Sequence, residues 1–357
     1  MGPGRAIGPL YFIPRFGPSS SRASLLEPGE LMRLLRRILL ALAVLGTGVY
    51  LFNAGWRIAP LADPQVTLIA HRGVHQTFDR TDLQNDTCTA ERIFPPTHQY
   101  LENTLPSMLA AFEAGADIVE LDVHPTTDGQ FAVMHDWTID CRTEGSGVTR
   151  EQSMDYLGTL DVGFGYTADG GQTYPLRGSG VGMLPELKDV LTAMPEQRFL
   201  INFKSREARE GDMLAALLAA QPEWRNAVWG AYGGDEPTYR AAELIEGLAV
   251  WSRRGLIDCL LGYETLGWTG YMPEACRNTR VMLPINFAPW VWGWPNLFLD
   301  RMRSVGSEVI LLGPHEPGDP GTAGIDTLEQ LALVPPEFSG YVWTNRVELI
   351  GPALKAR

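Results

Sequence analysis

Short apolar runs rich in branched and aromatic side chains recur from residue 66 onward, and the first of them lead directly into polar residues. Leu68-Ile69-Ala70 runs into His71, Asp117-Ile118-Val119 into Glu120, and Phe131-Ala132-Val133-Met134 into His135. Runs of this length read as buried strands. Further strand candidates lie at 198–204, 227–231, 248–251, 280–285, 308–312 and 341–345. Between them the apolar spacing changes to three and four. Leu105, Met108, Leu109, Phe112 and Ala116 predict a helix over 101–116, and further helices fall near 184–194, 211–221, 238–247, 257–261, 297–305 and 328–333. Strands alternating with helices are the pattern of a parallel α/β fold. Residues 66–357 form this domain; the Gly-rich stretch 158–182 reads as irregular, and a polar insertion at about 74–100 is longer than an ordinary connection.

The amino-terminal part has a different pattern. Residues 1–31 are rich in Gly, Pro, Ser and Arg without apolar period, and read as a disordered or mis-assigned extension, with translation expected to start at Met32. Residues 38–52 are continuously apolar or small, and Arg33, Arg36 and Arg37 precede them. Residues 32–56 therefore read as a transmembrane or signal-anchor segment. The basic flank keeps the amino end in the cytoplasm and places the rest outside, in a periplasmic or extracellular setting. A cleaved signal peptide is the rival reading. Residues 57–65, with Pro60 and Pro64, read as a linker.

The formal net charge of −13 argues against a nucleic-acid partner, which requires a basic face. It is compatible with a phosphate substrate, because a bound cation inverts the local field. No protein partner is predicted. The four cysteines, Cys88, Cys141, Cys259 and Cys276, show no zinc-like spacing. In an oxidising compartment Cys88 with Cys141 and Cys259 with Cys276 is a natural pairing; in the cytosol the four would be free thiols. The first pair would staple the 74–100 insertion as a lid.

Glu120, Asp122 and His124 alternate with Leu121 and Val123, so the three polar side chains share one strand face. Two adjacent carboxylates repel unless a proton or cation lies between them. A solvated strand face is one reading; a divalent cation on Glu120 and Asp122 is the other, and oxygen ligands favour magnesium or calcium. His124 on that face is a candidate substrate contact. His71 and His135 are candidate acid/base groups, since imidazole titrates near neutral pH. Arg72 either grips a phosphate oxygen or makes a barrel-end salt bridge. His75, His98 and His315 lie in polar stretches where solvated surface is the default. Trp290, Trp292 and Trp294 anchor a loop or touch a barrel mouth or bilayer interface.

Four pieces occur in order: His71-Arg72-Gly73, Glu102-Asn103-Thr104, the run 120–129 (ELDVHPTTDG) and His135-Asp136. Together they resemble the glycerophosphodiester phosphodiesterase family. The resemblance covers roughly 66–357, is densest over 67–150 and thins after about 205. It implies a TIM (β/α)8 barrel, here preceded by the single amino-terminal helix. It also implies metal-dependent hydrolysis of small glycerophosphodiesters to glycerol 3-phosphate and an alcohol, with a cyclic phosphate on the way. By the same resemblance His71 and His135 are the acid/base pair, Glu102 completes the shell of one divalent cation, Lys204 contacts phosphate and Trp343 walls the glycerol pocket. Unaided, Glu102 also reads as a charge in the first helical turn and Lys204 as a surface lysine. The sequence departs from the family at Asn202, where a third metal-ligating glutamate is usual. An amide oxygen ligates without charge and would hold the cation more weakly. Two other functions fit the pattern: a lysophospholipase D-type phospholipid hydrolase, and a catalytically weak barrel that binds without turnover.

Overall fold

The computed structural model describes residue 2 and residues 28–84, 86–317 and 323–357. The extension expected over 1–31 therefore lies almost entirely outside the described residues. A helix spans Pro28–Phe52. Among the described residues it is the one helix long and apolar enough to cross a membrane. The chain divides into two compact units, 1–49 and 50–357.

Among its described residues the second unit holds nine strands: β1 (Val66–His71), β2 (Ile118–Pro125), β3 (Phe131–Val133), β4 (Phe199–Phe203), β5 (Val228–Gly233), β6 (Ala249–Ser252), β7 (Arg280–Pro284), β8 (Glu308–Leu312) and β9 (Gly340–Thr344). Eight of them are ordered β6-β5-β4-β2-β1-β9-β8-β7, and β3 lies off this path, antiparallel to β2 and bridged by Ala132 to Glu186. The remaining pairings are parallel. This is a nearly closed TIM barrel. At the seam between β6 and β7, Trp251 Nε1 donates to Met282 Sδ over 3.3 Å.

Strand alternation explains why the sequence pattern is apolar yet carries chemistry. Leu68 and Ala70 of β1, and Val119, Leu121 and Val123 of β2, pack outward with residues of the surrounding helices. Ile69 and Ile118 face the barrel interior beside Leu200, Trp251, Ile310 and Trp343. Side chains two apart share a face, so His71, Glu120, Asp122 and His124 continue the interior rows. Those rows end at the carboxyl side of the strands, where barrels of this kind carry their functional groups.

One local expectation changes. The helix predicted over 101–116 spans only Leu105–Ala114. Pro106 has no N–H to donate and fits the first turn alone, and Gly115 ends the helix at φ 109°. Residues 101–104 are thus free to form a buried loop. The Gly-rich stretch 158–182 is irregular, as expected, yet its Leu160, Tyr166 and Leu176 form a core with Ile139, Leu157, Ala90, Ile93 and Leu101. The insertion at 74–100 packs on this core, and disulfides join Cys88 to Cys141 and Cys259 to Cys276.

Candidate active site

His71 ends β1, Glu120 lies beside it on β2, and Asn202 lies beside Asp122 on β4. The turn after His71 puts Arg72 at φ 59° and Gly73 at φ 79°. A Cβ on Gly73 would collide with Ser107, so this tight turn requires glycine. The turn aims the Arg72 guanidinium inward, with Nε 3.0 Å from Asp122 Oδ2 and Nη1 3.1 Å from Glu102 Oε1.

Asp122 is the charge centre. Asn202 Nδ2 donates to its Oδ1 (2.8 Å), Asn103 Nδ2 donates to its Oδ2 (3.1 Å), and Lys204 Nζ lies 3.4 Å from Oδ1. Burial opposes the charge, but Lys204 and Arg72 hold this carboxyl well below the usual range. Glu120 behaves in the opposite way: burial, then the Asp122 charge, pushes it up to about 8. Its Oε1 accepts a 2.7 Å bond from Tyr232, while the buried Oε2 has no hydrogen-bond partner.

Two imidazoles act on this centre. His71 Nε2 is 3.7 Å from Glu120 Oε2, and both His71 and His135 contribute to the field at Asp122. Each ring has its other nitrogen held. His71 Nδ1 is 2.6 Å from Asn345 Oδ1, and Asn345 Nδ2 donates to Asp326 (2.8 Å), which leaves Oδ1 to accept from the ring. His135 Nδ1 is 2.8 Å from Asp136 Oδ1. The Nε2 atoms are therefore the free ends, a geometry suited to proton transfer. Trp343 covers the His71 ring at a centroid distance of 5.0 Å. Burial first, then Lys204, draws His124 down to about 4; its Nε2 is 3.4 Å from His135 O and its ring stands edge-on to Trp137.

Glu102 lies in the buried loop, not on the helix, and Oε1 faces Arg72 and Arg142 (3.1 and 3.2 Å). Asn202 presents its amide nitrogen, not its oxygen, to Asp122. The structure thus brings Glu120 and Asp122 together and turns Glu102 and Asn202 to other partners. Among the described residues no group of three or more His, Cys, Asp or Glu side chains is arranged to hold a metal. The donor pair itself fits a cation, because Glu120 keeps one buried oxygen without a hydrogen-bond partner beside a second carboxylate.

Several site residues escaped sequence reasoning. His75 is 4 % exposed, not on the surface, and its ring is 6.1 Å from that of His71. Tyr232 and Asn345 reach the site from distant positions and Arg142 from six residues beyond Asp136, and no local pattern assigns them a role. Of the three alternating tryptophans, Trp292 and Trp294 pack against the core and Trp290 is 80 % exposed.

Residues 71–221 match the glycerophosphoryl diester phosphodiesterase family. A glycerophosphodiester phosphodiesterase of Caldanaerobacter subterraneus is 33% identical over 105 residues, which cover 29% of this chain and 39% of the relative. The chain thus spans about two fifths of the length of this relative. Among solved structures, the glycerophosphoryl diester phosphodiesterase domain of an uncharacterized Mycobacterium tuberculosis protein superposes with a TM-score of 0.58 at 17% identity, covering 81% of this chain and 99% of that one. An Oleispira antarctica phosphodiesterase, solved with its product sn-glycerol-3-phosphate, gives 0.51 at 18% identity, covering 81% and 96%. At such identities the structures show the fold. Residues 71–221 are thus similar to the glycerophosphoryl diester phosphodiesterase family, and the barrel has the fold of its solved relatives.

Proposed function

We propose that the chain is a phosphoric diester hydrolase that cleaves small glycerophosphodiesters to glycerol 3-phosphate and an alcohol. The observation that carries this reading is the pair of imidazoles, His71 and His135, both acting on Asp122 with their Nε2 atoms free. The family match and the product in the Oleispira antarctica neighbour support the substrate class.

His71 is the base. Burial and then Arg72 hold its pKa well below the ordinary imidazole value, so it is neutral at pH 7, with a lone pair on Nε2. It takes the proton of the substrate's own attacking hydroxyl as the cyclic P–O bond forms, and in a second step that of the water that opens the cyclic phosphate to glycerol 3-phosphate. His135 is the acid: burial, then Arg72 and Lys204, lower its pKa, and Asp136 opposes them through Nδ1, supporting the protonated ring from which Nε2 gives its proton to the leaving alcohol oxygen as the old P–O bond breaks. Lys204, half-buried at the end of β4, orients an anionic phosphate. Arg72 secures Asp122 and Glu102 and adds positive field. His124 and Trp343 border the pocket. A divalent cation, magnesium or calcium, would be held by Glu120 and Asp122 and would supply charge neutralisation at the phosphate oxygens. Asn202 lends it no charge.

The same reading includes location. The helix Pro28–Phe52 anchors the domain, and the two disulfides suit an extracytoplasmic compartment.

The test is a metal-by-substrate screen comparing glycerophosphocholine with lysophosphatidylcholine. Expected are turnover of glycerophosphocholine, its loss on chelation, and a fall in kcat of about 10²–10⁴ for His71→Ala and His135→Ala. Asn202→Glu should tighten metal binding. Turnover of the lysolipid alone would replace this reading by the phospholipid hydrolase, and full activity of His71→Ala would end it.

A further inference from the structure

Arg142 is a cation only 3 % exposed, and its donors are engaged on all sides. Nε donates to Asp136 Oδ2 (2.8 Å), Nη1 to the Tyr166 hydroxyl and Nη2 to Thr89 Oγ1 (2.7 Å). Nη2 also lies 3.2 Å from Glu102 Oε1, and the guanidinium sits over the Tyr166 ring at 5.4 Å. Burying a guanidinium is costly unless it is paired and hydrogen-bonded throughout, so this pocket is built for one side chain in one orientation.

Two of its partners lead to the acid/base groups. Asp136 places one oxygen on Arg142 and the other on His135 Nδ1. Glu102 shares one oxygen between Arg142 and Arg72, which in turn holds Asp122. The Cys88–Cys141 disulfide is adjacent in sequence to both sides of the clasp, because Thr89 follows Cys88 and Arg142 follows Cys141. The bond crosses a sequence separation of 53 residues, so it ties the 74–100 insertion to the segment that carries Arg142. Gly165 packs so closely on the carbonyl of Cys141 that a Cβ there would lie 2.0 Å away, and its N–H donates to Arg142 O (3.2 Å). The backbone at 141–142 is thus held from two directions.

We infer that Arg142 is a positioning residue that fixes the Asp136–His135 pair through a clasp closed by the Cys88–Cys141 disulfide. The catalytic site is complete only when that disulfide is formed. Reduction by a dithiol, which is oxidised to its own disulfide as the Cys88–Cys141 bond becomes two thiols, frees the insertion, Thr89 leaves the guanidinium, Asp136 gains freedom to turn, and His135 Nδ1–H loses its fixed partner. The inference rests on the acid role proposed for His135, and it has a readout that needs no substrate.

The experiment uses the full chain and glycerophosphocholine. Arg142→Gln is expected to lower kcat about 30–100-fold while KM stays within about twofold, the size usual for a group that orients an active-site side chain. Arg142→Lys restores part of the rate by keeping the charge on Asp136. Removing the disulfide by Cys88→Ala with Cys141→Ala lowers kcat about tenfold, whereas Cys259→Ala with Cys276→Ala leaves it within about twofold. In parallel, 15N NMR of the imidazoles, with His135 assigned from its His135→Gln spectrum, is expected to show His135 Nδ1 persistently protonated in the wild type, whether Nε2 is loaded or not, and a proton averaged over both nitrogens in Arg142→Gln and in the Cys88/Cys141 variant. Should Arg142→Gln not fold, Arg142→Lys and the cysteine variant carry the same comparison. An unchanged kcat together with an unchanged His135 spectrum overturns the inference. A wild type that hydrolyses no glycerophosphodiester overturns the functional reading instead, and the NMR comparison then decides the inference alone.

Discussion

Burial shifts two side chains in ways that oppose each other as pH changes. His124 is pulled down to about 4 by burial and then Lys204, and Glu210 is pushed up to about 7 by burial, which outweighs the opposing pull of Ser205 and Arg150. For His124 the unfolded chain binds the proton between pH 6.5 and about 4 and the folded chain does not, so its contribution to stability is lost as pH falls through that window. For Glu210 the folded chain keeps a proton that the unfolded chain releases from pH 4.5 to about 7, so stability falls as pH rises through it. Each effect is on the order of 3 kcal/mol over its window. Urea unfolding from pH 4 to 8 should show a flatter acid limb for His124→Phe and a flatter upper limb for Glu210→Gln. Parallel curves for wild type and variant would remove the assignment.

The two staples differ in what they hold at the level of elements. Cys259 lies on the helix Arg253–Leu266 and Cys276 ends the turn Glu274–Cys276 that leads to β7. Both are fully buried and far in sequence from the carboxyl ends of β1 and β2. Closing a loop of this length, with a separation of 17, restricts the unfolded chain and is worth about 3 kcal/mol. Removing the pair should lower the unfolding free energy by that amount without changing the substrate dependence of the rate. A loss of activity at temperatures where the variant is folded would contradict this.

At the scale of the whole molecule, the barrel unit begins upstream of its first strand. Asn53 donates to Trp268 O (2.8 Å), and Arg301 Nη1 donates to Asn53 Oδ1 (2.9 Å). Arg301 is itself buried and also bonds Tyr263 and Gly267. A chain starting at Arg57 removes one partner of a buried guanidinium, at a cost of roughly 1–3 kcal/mol. A chain starting at Tyr50 keeps it. The shorter chain should melt a few degrees lower, on the order of 2–4 °C per kcal/mol for a unit of this size, with both chains active. Equal melting points would show that Asn53 contributes nothing.

The sequence by itself determined what depends on neighbours along the chain. Apolar runs set the strands, three-and-four spacing set the helices, and period-two alternation placed Glu120 and Asp122 on one face because successive strand side chains point opposite ways. The order of the short motifs then indicated the family. Limits appeared where local pattern is silent. Glu102 reads as a metal ligand by its motif and equally as a helical charge, because nothing local distinguishes a first turn from a buried loop facing Arg72 and Arg142. His75 read as surface because its polar neighbours hide its burial against His71. Only the tertiary structure decided which distant groups complete the site. Tyr232 meets Glu120 across 112 positions and Asn345 meets His71 across 274. Such pairings follow from barrel closure, which brings β5 and β9 to the same mouth as β1 and β2, and no periodicity along a chain encodes which strand ends will share a ring.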